Sequence, residues 1–178
     1  MSLSGLFGRK TDKKAAHEAY GAAVSQGRLP VFYAKHGVPD TLDGRFEMIA
    51  LHVFLILHRV KNDKLSGAFA QALFDVFFAD MDRGLRELGT GDLSVGKQIK
   101  LMATGFYGRI AADEGGLDGA GDLDAALRRN LYGTIPAPEA SDVAAVAAYL
   151  RRQTAHLAGQ SDEDIRRGIV RFADVADV

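Results

Sequence analysis

The sequence predicts an all-α fold, a single-domain bundle of roughly seven to eight helices. Three observations lead there. Apolar residues recur at helical spacing through most of the chain, and no period-2 alternation is sustained anywhere. The punctuation is that of helices: Gly27, Gly37, Gly89, Gly133 and Gly159 stand where periodic runs end, and Ser66, Ser94, Asp122, Ser141 and Ser161 stand where they begin. The run MIALHVFLIL, residues 48–57, is apolar nearly all round, which suits a helix at the centre of a bundle.

Asp12 to Gln26 reads as a helix whose faces carry Ala15, Ala16, Ala19, Tyr20, Ala22 and Ala23, with Gly27 as its stop. Leu29–His36 comes next, with Pro30 at the first helical position and Gly37 beyond the end. Val38-Pro39-Asp40-Thr41 is a turn, because Pro39 holds Val38 extended. Asp43 is the expected cap of a helix from Gly44 to about Lys61. Ser66 is expected to cap the next, which runs to about Leu88 and ends at Gly89. Gly89–Asp92 reads as a tight loop, and Ser94 as the cap of a helix from Val95 to about Ala112. Gly115, Gly116, Gly119 and Gly121 predict a flexible loop. Asp122 caps a short helix through Tyr132, and Thr134–Glu139 is an extended connection carrying Pro136 and Pro138. Ser141 caps an alanine-rich helix to about Leu157. Ser161 with Asp164 resembles a capping box for a last helix to about Ala173.

The stretch Leu73–Asp92 is the densest mixture of large apolar and charged residues. At about 100° per residue, Leu73, Phe74, Phe77, Met81, Leu85 and Leu88 share one broad face. Asp75, Asp82 and Arg86 fall opposite, and Asp80, Arg83 and Glu87 form a stripe between. Asp82–Arg86 and Arg83–Glu87 stand four apart and are expected to pair, each contributing about 0.2–0.5 kcal/mol. Such a helix has two uses: a core helix with a solvated, salt-bridged back, or charged edges that recognise a partner.

Composition removes several functions. The chain has no cysteine, which excludes disulfides, thiol catalysis and thiolate metal sites. A formal net charge of −1 gives no global attraction to nucleic acid, and DNA is not an expected partner. The run 48–57 is about half a membrane span and contains His52, so no transmembrane segment is expected. The N-terminus lacks the apolar core of a signal peptide. Its Leu3, Leu6 and Phe7, beside Arg9, Lys10, Lys13 and Lys14, suggest at most peripheral contact with an anionic membrane. The expected location is cytoplasmic, at most peripheral at the cytoplasmic face of the inner membrane.

No catalytic constellation emerges. Gly91-Asp92-Leu93-Ser94-Val95-Gly96-Lys97 matches the spacing of a phosphate-binding loop, but Gln98 stands where a Ser or Thr binds magnesium, and a helix precedes it instead of a strand. His52 and His58 lie six apart on different helix faces, and His52 reads as a hydrogen-bonded core residue. Asp75, Asp80 and Asp82 are spread round their helix axis, which argues against one cation site. No cofactor and no metal is expected. Phe106-Tyr107-Gly108-Arg109 offers Tyr107 and Arg109 as interface anchors. Lys97, Lys100, Arg109, Arg128 and Arg129 are the residues an RNA- or phosphate-binding patch would use.

Seven segments carry a resemblance: Val38-Pro39-Asp40-Thr41, Gly44-Arg45-Phe46-Glu47, Leu73-Phe74-Asp75, Asp80-Met81-Asp82, Leu85-Arg86-Glu87, Gly91-Asp92-Leu93 and Phe106-Tyr107-Gly108-Arg109. Their order and spacing resemble the ubiquinol–cytochrome c chaperone family, assembly factors for cytochrome b of respiratory complex III. The resemblance runs from about Leu29 to Tyr132 and looks like that of a bacterial member, since no organelle presequence precedes it. It implies a non-enzymatic helical chaperone, with residues 1–28 an N-terminal segment and helix and 29–178 the chaperone domain. Mitochondrial members bind newly made cytochrome b, work with a small partner protein and associate with the ribosome near its exit tunnel. The chain departs from the family pattern at Gly96, where proline is common, and at Asp113, where an aromatic is common. The expected partner-binding residues are Asp75, Asp80, Asp82, Arg83, Arg86, Glu87, Asp92, Tyr107 and Arg109.

Overall fold

The computed structural model describes residues 3–87, 89 and 91–175, and their side chains except those of 3–11 and 93. Eight helices succeed one another in the described residues: α1 (Leu3–Gly27), α2 (Pro30–Ala34), α3 (Leu42–Val60), α4 (Gly67–Glu87), α5 (Asp92–Leu117), α6 (Leu123–Asn130), α7 (Ala140–Ala158) and α8 (Asp162–Arg166). No strand occurs among the described residues. The bundle is the all-α architecture expected from the pattern.

Helix α3 is the axis. Its Ile49, Ala50, Val53, Ile56 and Val60 join one apolar cluster with α1 and α4. Its Met48, Leu51, Phe54 and Leu55 join a second with α2, α6 and α7. A helix sandwiched this way has no solvated face in its middle, which explains the unbroken apolar run. The polar exception is His52, fully buried. Its Nδ1 lies 2.7 Å from the Met48 carbonyl oxygen, which can only accept, so Nδ1 carries the proton. Nε2 then accepts from the Tyr149 hydroxyl at 2.7 Å, and that hydroxyl accepts from Gln26 Nε2 at 3.1 Å. Burial pushes the imidazole down to about 4, so it stays neutral near pH 7. One side-chain network thus ties α1, α3 and α7.

Several boundaries differ from expectation. The first helix starts at Leu3, not Asp12, since no proline interrupts 3–12 and a nucleated helix propagates. Helix α3 starts at Leu42: Thr41 is extended, and its hydroxyl accepts from the Gly44 N–H at 3.2 Å, so Thr41 caps it and Asp43 sits in the first turn. Ser66 stands before α4, but its hydroxyl donates to Asp63 instead of capping. Helix α5 starts at Asp92, with Gly91 rather than Ser94 at the cap position, and runs through Gly115 and Gly116. Those two glycines are therefore not a flexible loop. A Cβ at Gly116 would lie 2.7 Å from Leu123, so glycine there lets α6 pack directly on the end of α5. Helix α7 starts at Ala140, with no side-chain cap. Asp122 and Ser161 do cap as expected, at 3.0 Å and 3.1 Å.

The last helix ends at Arg166, not Ala173. Gly168 adopts φ +83°, and a Cβ there would meet the Ala15 backbone at 2.4 Å, so the chain must leave the helix at this point. Beyond Gly168 the chain becomes an extended tail bound by glutamines. Gln153 accepts from the Ala173 N–H at 2.8 Å and donates to its carbonyl at 2.9 Å. Gln160 does the same at Arg171, at 3.0 Å and 2.5 Å. Phe172 packs edge-on against His52, ring centroids 5.1 Å apart. Gln153→Ala orphans the Ala173 N–H and should lower unfolding free energy by about 2 kcal/mol in urea denaturation. An unchanged midpoint would mean that the tail is not held by this clamp.

Candidate functional site

The α4–α5 hairpin contains most of the charged residues expected to meet a partner. Helix α4 lies between α1 and α5 and buries more than one face: Phe69, Ala72, Leu73, Val76, Phe77 and Phe78 are all buried. Val76 and Phe78 thus belong to the core although they fall outside the face read from the sequence. Phe74 is only half-buried, and Leu88 lies outside the described residues. Gly89 ends the helix with φ +83°.

The charged edges face neighbouring helices as much as solvent. Asp80 accepts from the Tyr20 hydroxyl of α1 at 2.7 Å and pairs with Arg83. Arg83 therefore pairs one turn back, not with Glu87. Asp82 pairs with Arg86 at 2.6 Å, as the spacing predicts, and the guanidinium holds the Asp82 carboxyl below its ordinary range. Arg86 also pairs with Asp92, so one side chain bridges α4 to the first turn of α5 across the Gly89 turn. Asp75 accepts from Gln71 at 2.8 Å and is exposed, as is Glu87. Tyr107 is 60 % exposed, and its ring stacks on Phe74 with centroids 5.4 Å apart.

Arg109 turns inward. Its guanidinium lies 2.7 Å from Glu47 of α3 and over the Phe46 ring. It is therefore not in a patch with Lys97 and Lys100, and Arg128 is spent on the Pro138 carbonyl at 3.2 Å. Beside Arg109 lies Asp113, 3 % exposed, and the two carboxylates share a narrow cavity with Asn130. Arg109 Nε and Asn130 Nδ2 have no hydrogen-bond partner there. The space, about 10 Å³, is near the lower bound for a single water molecule. Burial pushes both Glu47 and Asp113 up to about 7, against the pull of Arg109. The sequence offers Asp113 only as a departure from the family pattern: Arg109 stands four residues away on α5, but Glu47 and Asn130, which share the cavity, come from other helices.

A second grouping also spans helices. His58 of α3 meets Glu114 and Asp118, their ligand atoms within 4.8 Å of one another. Lys61 Nζ lies 2.5 Å from Glu114, 3.3 Å from Asp118 and 3.0 Å from His58 Nε2, so the ammonium already supplies the positive charge at that point. The segment Gly91–Lys97 forms the cap and opening turns of α5 after a helix, a geometry that wraps no phosphate. No described helix is long and apolar enough to cross a membrane.

The fold and its sites define a helical scaffold whose buried polar groups join helices to one another. Residues 34–172 match the model of the ubiquinol–cytochrome C chaperone family, and the chain belongs to that family. A solved structure described as the Cbp3 homolog from Brucella abortus is 38 % identical, with 99 % of each chain covered and a TM-score of 0.84. Ubiquinol–cytochrome c reductase complex assembly factor 1 of Mus musculus is 26 % identical over 155 residues, and that of Homo sapiens 27 %. Those alignments take in 86 % of this chain and 52 % of each mammalian protein. The chain thus spans about half the length of these curated relatives.

The buried carboxylates have a pH signature. Their folded values lie above the unfolded 4.5 of Glu47 and 3.8 of Asp113, so the folded state keeps protons that the unfolded chain releases. Their contribution is present at low pH and is lost as pH rises from about 4 through about 7. Asp113→Asn removes one carboxylate and relieves the other. Relative to wild type, the variant should gain on the order of 2 kcal/mol between pH 5 and pH 8 in urea denaturation. Parallel stability curves would show that the pair does not titrate there.

Proposed function

We propose that the chain is a non-enzymatic assembly chaperone of the ubiquinol–cytochrome c reductase complex, and that its client is newly made cytochrome b. The observation that carries this reading is the family match over residues 34–172, which takes in everything from the end of α2 to the tail. The names of the mammalian relatives support it. Cytochrome b as client and encounters with the ribosome or a small partner protein come from the family resemblance; a cytoplasmic location comes from the reading of composition and the N-terminus.

The physics suits such a client. Membrane segments awaiting assembly expose apolar surface, and the basic loops beside them lie on the cytoplasmic side. The half-buried Phe74 with the exposed Asp75 next to it offers an aromatic ledge with negative charge, and Glu87 adds an exposed carboxylate roughly 20 Å further along α4. We assign client contact to these residues of the α4 edge, and a framing role to Asp80, Asp82, Arg83, Arg86 and Asp92, which are engaged in bonds between or along helices. Arg109 acts through Glu47, and Tyr107 braces Phe74.

Deleting the gene should lower assembled complex III and the b-type haem absorbance several-fold, and the wild-type gene should restore both. Normal complex III in the deletion strain sinks the function. Asp75→Lys with Glu87→Lys should restore only partly while the helical circular dichroism is unchanged. Full restoration sinks the surface assignment alone.

A further inference from the structure

The outward face of α5 is built unlike the rest of the surface. Lys97, Lys100, Leu101, Thr104, Tyr107 and Gly108 are all exposed and fall within roughly 120° of one helix face. Leu101 and Tyr107, at 63 % and 60 %, are among the four most exposed large apolar side chains described. They stand out because their neighbours are low. A Cβ at Gly108 would touch nothing within 4 Å, and Thr104 turns its hydroxyl back to the Lys100 carbonyl at 3.0 Å. The ring of Tyr107 is held in place by its stack on Phe74.

The charge on this face has one sign. No acidic residue occurs from Leu93 to Ala112. Arg109 faces Glu47, so the two lysines carry the face, and neither has an ion pair among the described residues. On α4, Asp82 pairs with Arg86, while Asp75 accepts from the neutral Gln71 amide and keeps its charge on that helix.

We propose that this face of α5 docks on an anionic lipid bilayer. The lysines complement lipid phosphates, and the apolar side chains between them enter at headgroup depth, where tyrosine's apolar ring and polar tip both find partners. Two lysines and two apolar groups make contact that is weak, reversible and sensitive to salt. Such docking deepens the proposed chaperone function by placing the protein at the surface where a membrane client is made, but docking itself needs no client.

Vesicle flotation of the full chain tests it without cytochrome b. The protein should float with vesicles of equal parts phosphatidylcholine and phosphatidylglycerol at low salt, and remain unbound with phosphatidylcholine alone or in molar sodium chloride. Lys97→Glu with Lys100→Glu should lower the partition coefficient at least about tenfold. Leu101→Ser with Tyr107→Ser should lower binding while preserving its salt dependence. Circular dichroism checks that each variant is folded. The proposal is overturned if the wild type binds neither vesicle or binds both equally. It is also overturned if the α5 variants bind like wild type while Lys10→Glu, Lys13→Glu and Lys14→Glu together abolish flotation. Crosslinking of α5 to an acidic protein segment, with no flotation, assigns the face to a protein instead and overturns it too. Failure here leaves the complex III phenotype of the deletion strain untouched, so the two readings stand or fall separately.

Discussion

A neutral imidazole at full burial is the constraint on which the arrangement of helices depends. An unpartnered polar atom in the interior costs about 1–3 kcal/mol, so His52 must satisfy both nitrogens where it stands. One is satisfied by its own helix through the Met48 carbonyl. The other needs a donor from outside, and Tyr149 of α7 supplies it. The tyrosine oxygen then accepts from Gln26 of α1, and Gln26 also reaches the Ala173 carbonyl of the tail at 3.3 Å. Apolar packing alone would allow α3 to rotate among its neighbours. The directional chain from Met48 to Ala173 allows one register for α1, α3, α7 and the tail together.

The other polar groups work at the seams. Arg59 of α3 donates to the Leu157 and Gln160 carbonyls at and beyond the end of α7 and pairs with Asp162 at 2.6 Å. Asp63 pairs with Arg166, tying the α3–α4 loop to α8. Exposed ion pairs stabilise little, so the value of such contacts lies in where they hold the helices. The interior groups set a pH balance. His52, folded value below its unfolded 6.5, loses its contribution as pH falls from about 6.5 toward 4. Glu47 and Asp113 lose theirs in the opposite direction. The two opposing trends favour the intermediate range, with α3 carrying a member of each.

Much of the fold was legible because it is written locally. Periodicity identified the helices, Asp122 and Ser161 marked two starts, and the apolar run of α3 announced a central position. The shifted caps and the Arg83 pairing are local, but the errors at Gly116, at Gly168 and in the tail share another cause, contact between residues of different elements. Gly116 reads as flexibility until Leu123 is found against it, and Gly168 ends α8 because Ala15 lies beneath it. The extended tail depends on Gln153 and Gln160, whose bonds to backbone leave no trace in a helical pattern. For the site, the pairing of Asp82 with Arg86 was legible from a spacing of four. The inward turn of Arg109 was not, since its partner Glu47 comes from a separate stretch on α3.

The charged residues that carry the family resemblance are therefore divided by what they touch. Asp80 joins α4 to α1, and Arg86 joins α4 to α5. Residues committed to such junctions cannot also bind a client without loosening the bundle, because each would leave a partner unpaired. On the proposed chaperone function, a client must be held and then released, so we assign its contact to side chains that the frame does not need. On the α4–α5 hairpin these are of two kinds at separate places: acidic Asp75 and Glu87 along α4, and basic Lys97 and Lys100 on the outside of α5. A membrane protein awaiting assembly presents two matching surroundings, basic loops and anionic lipid. If both proposals hold, opposite charge on adjacent helices would let one hairpin address both.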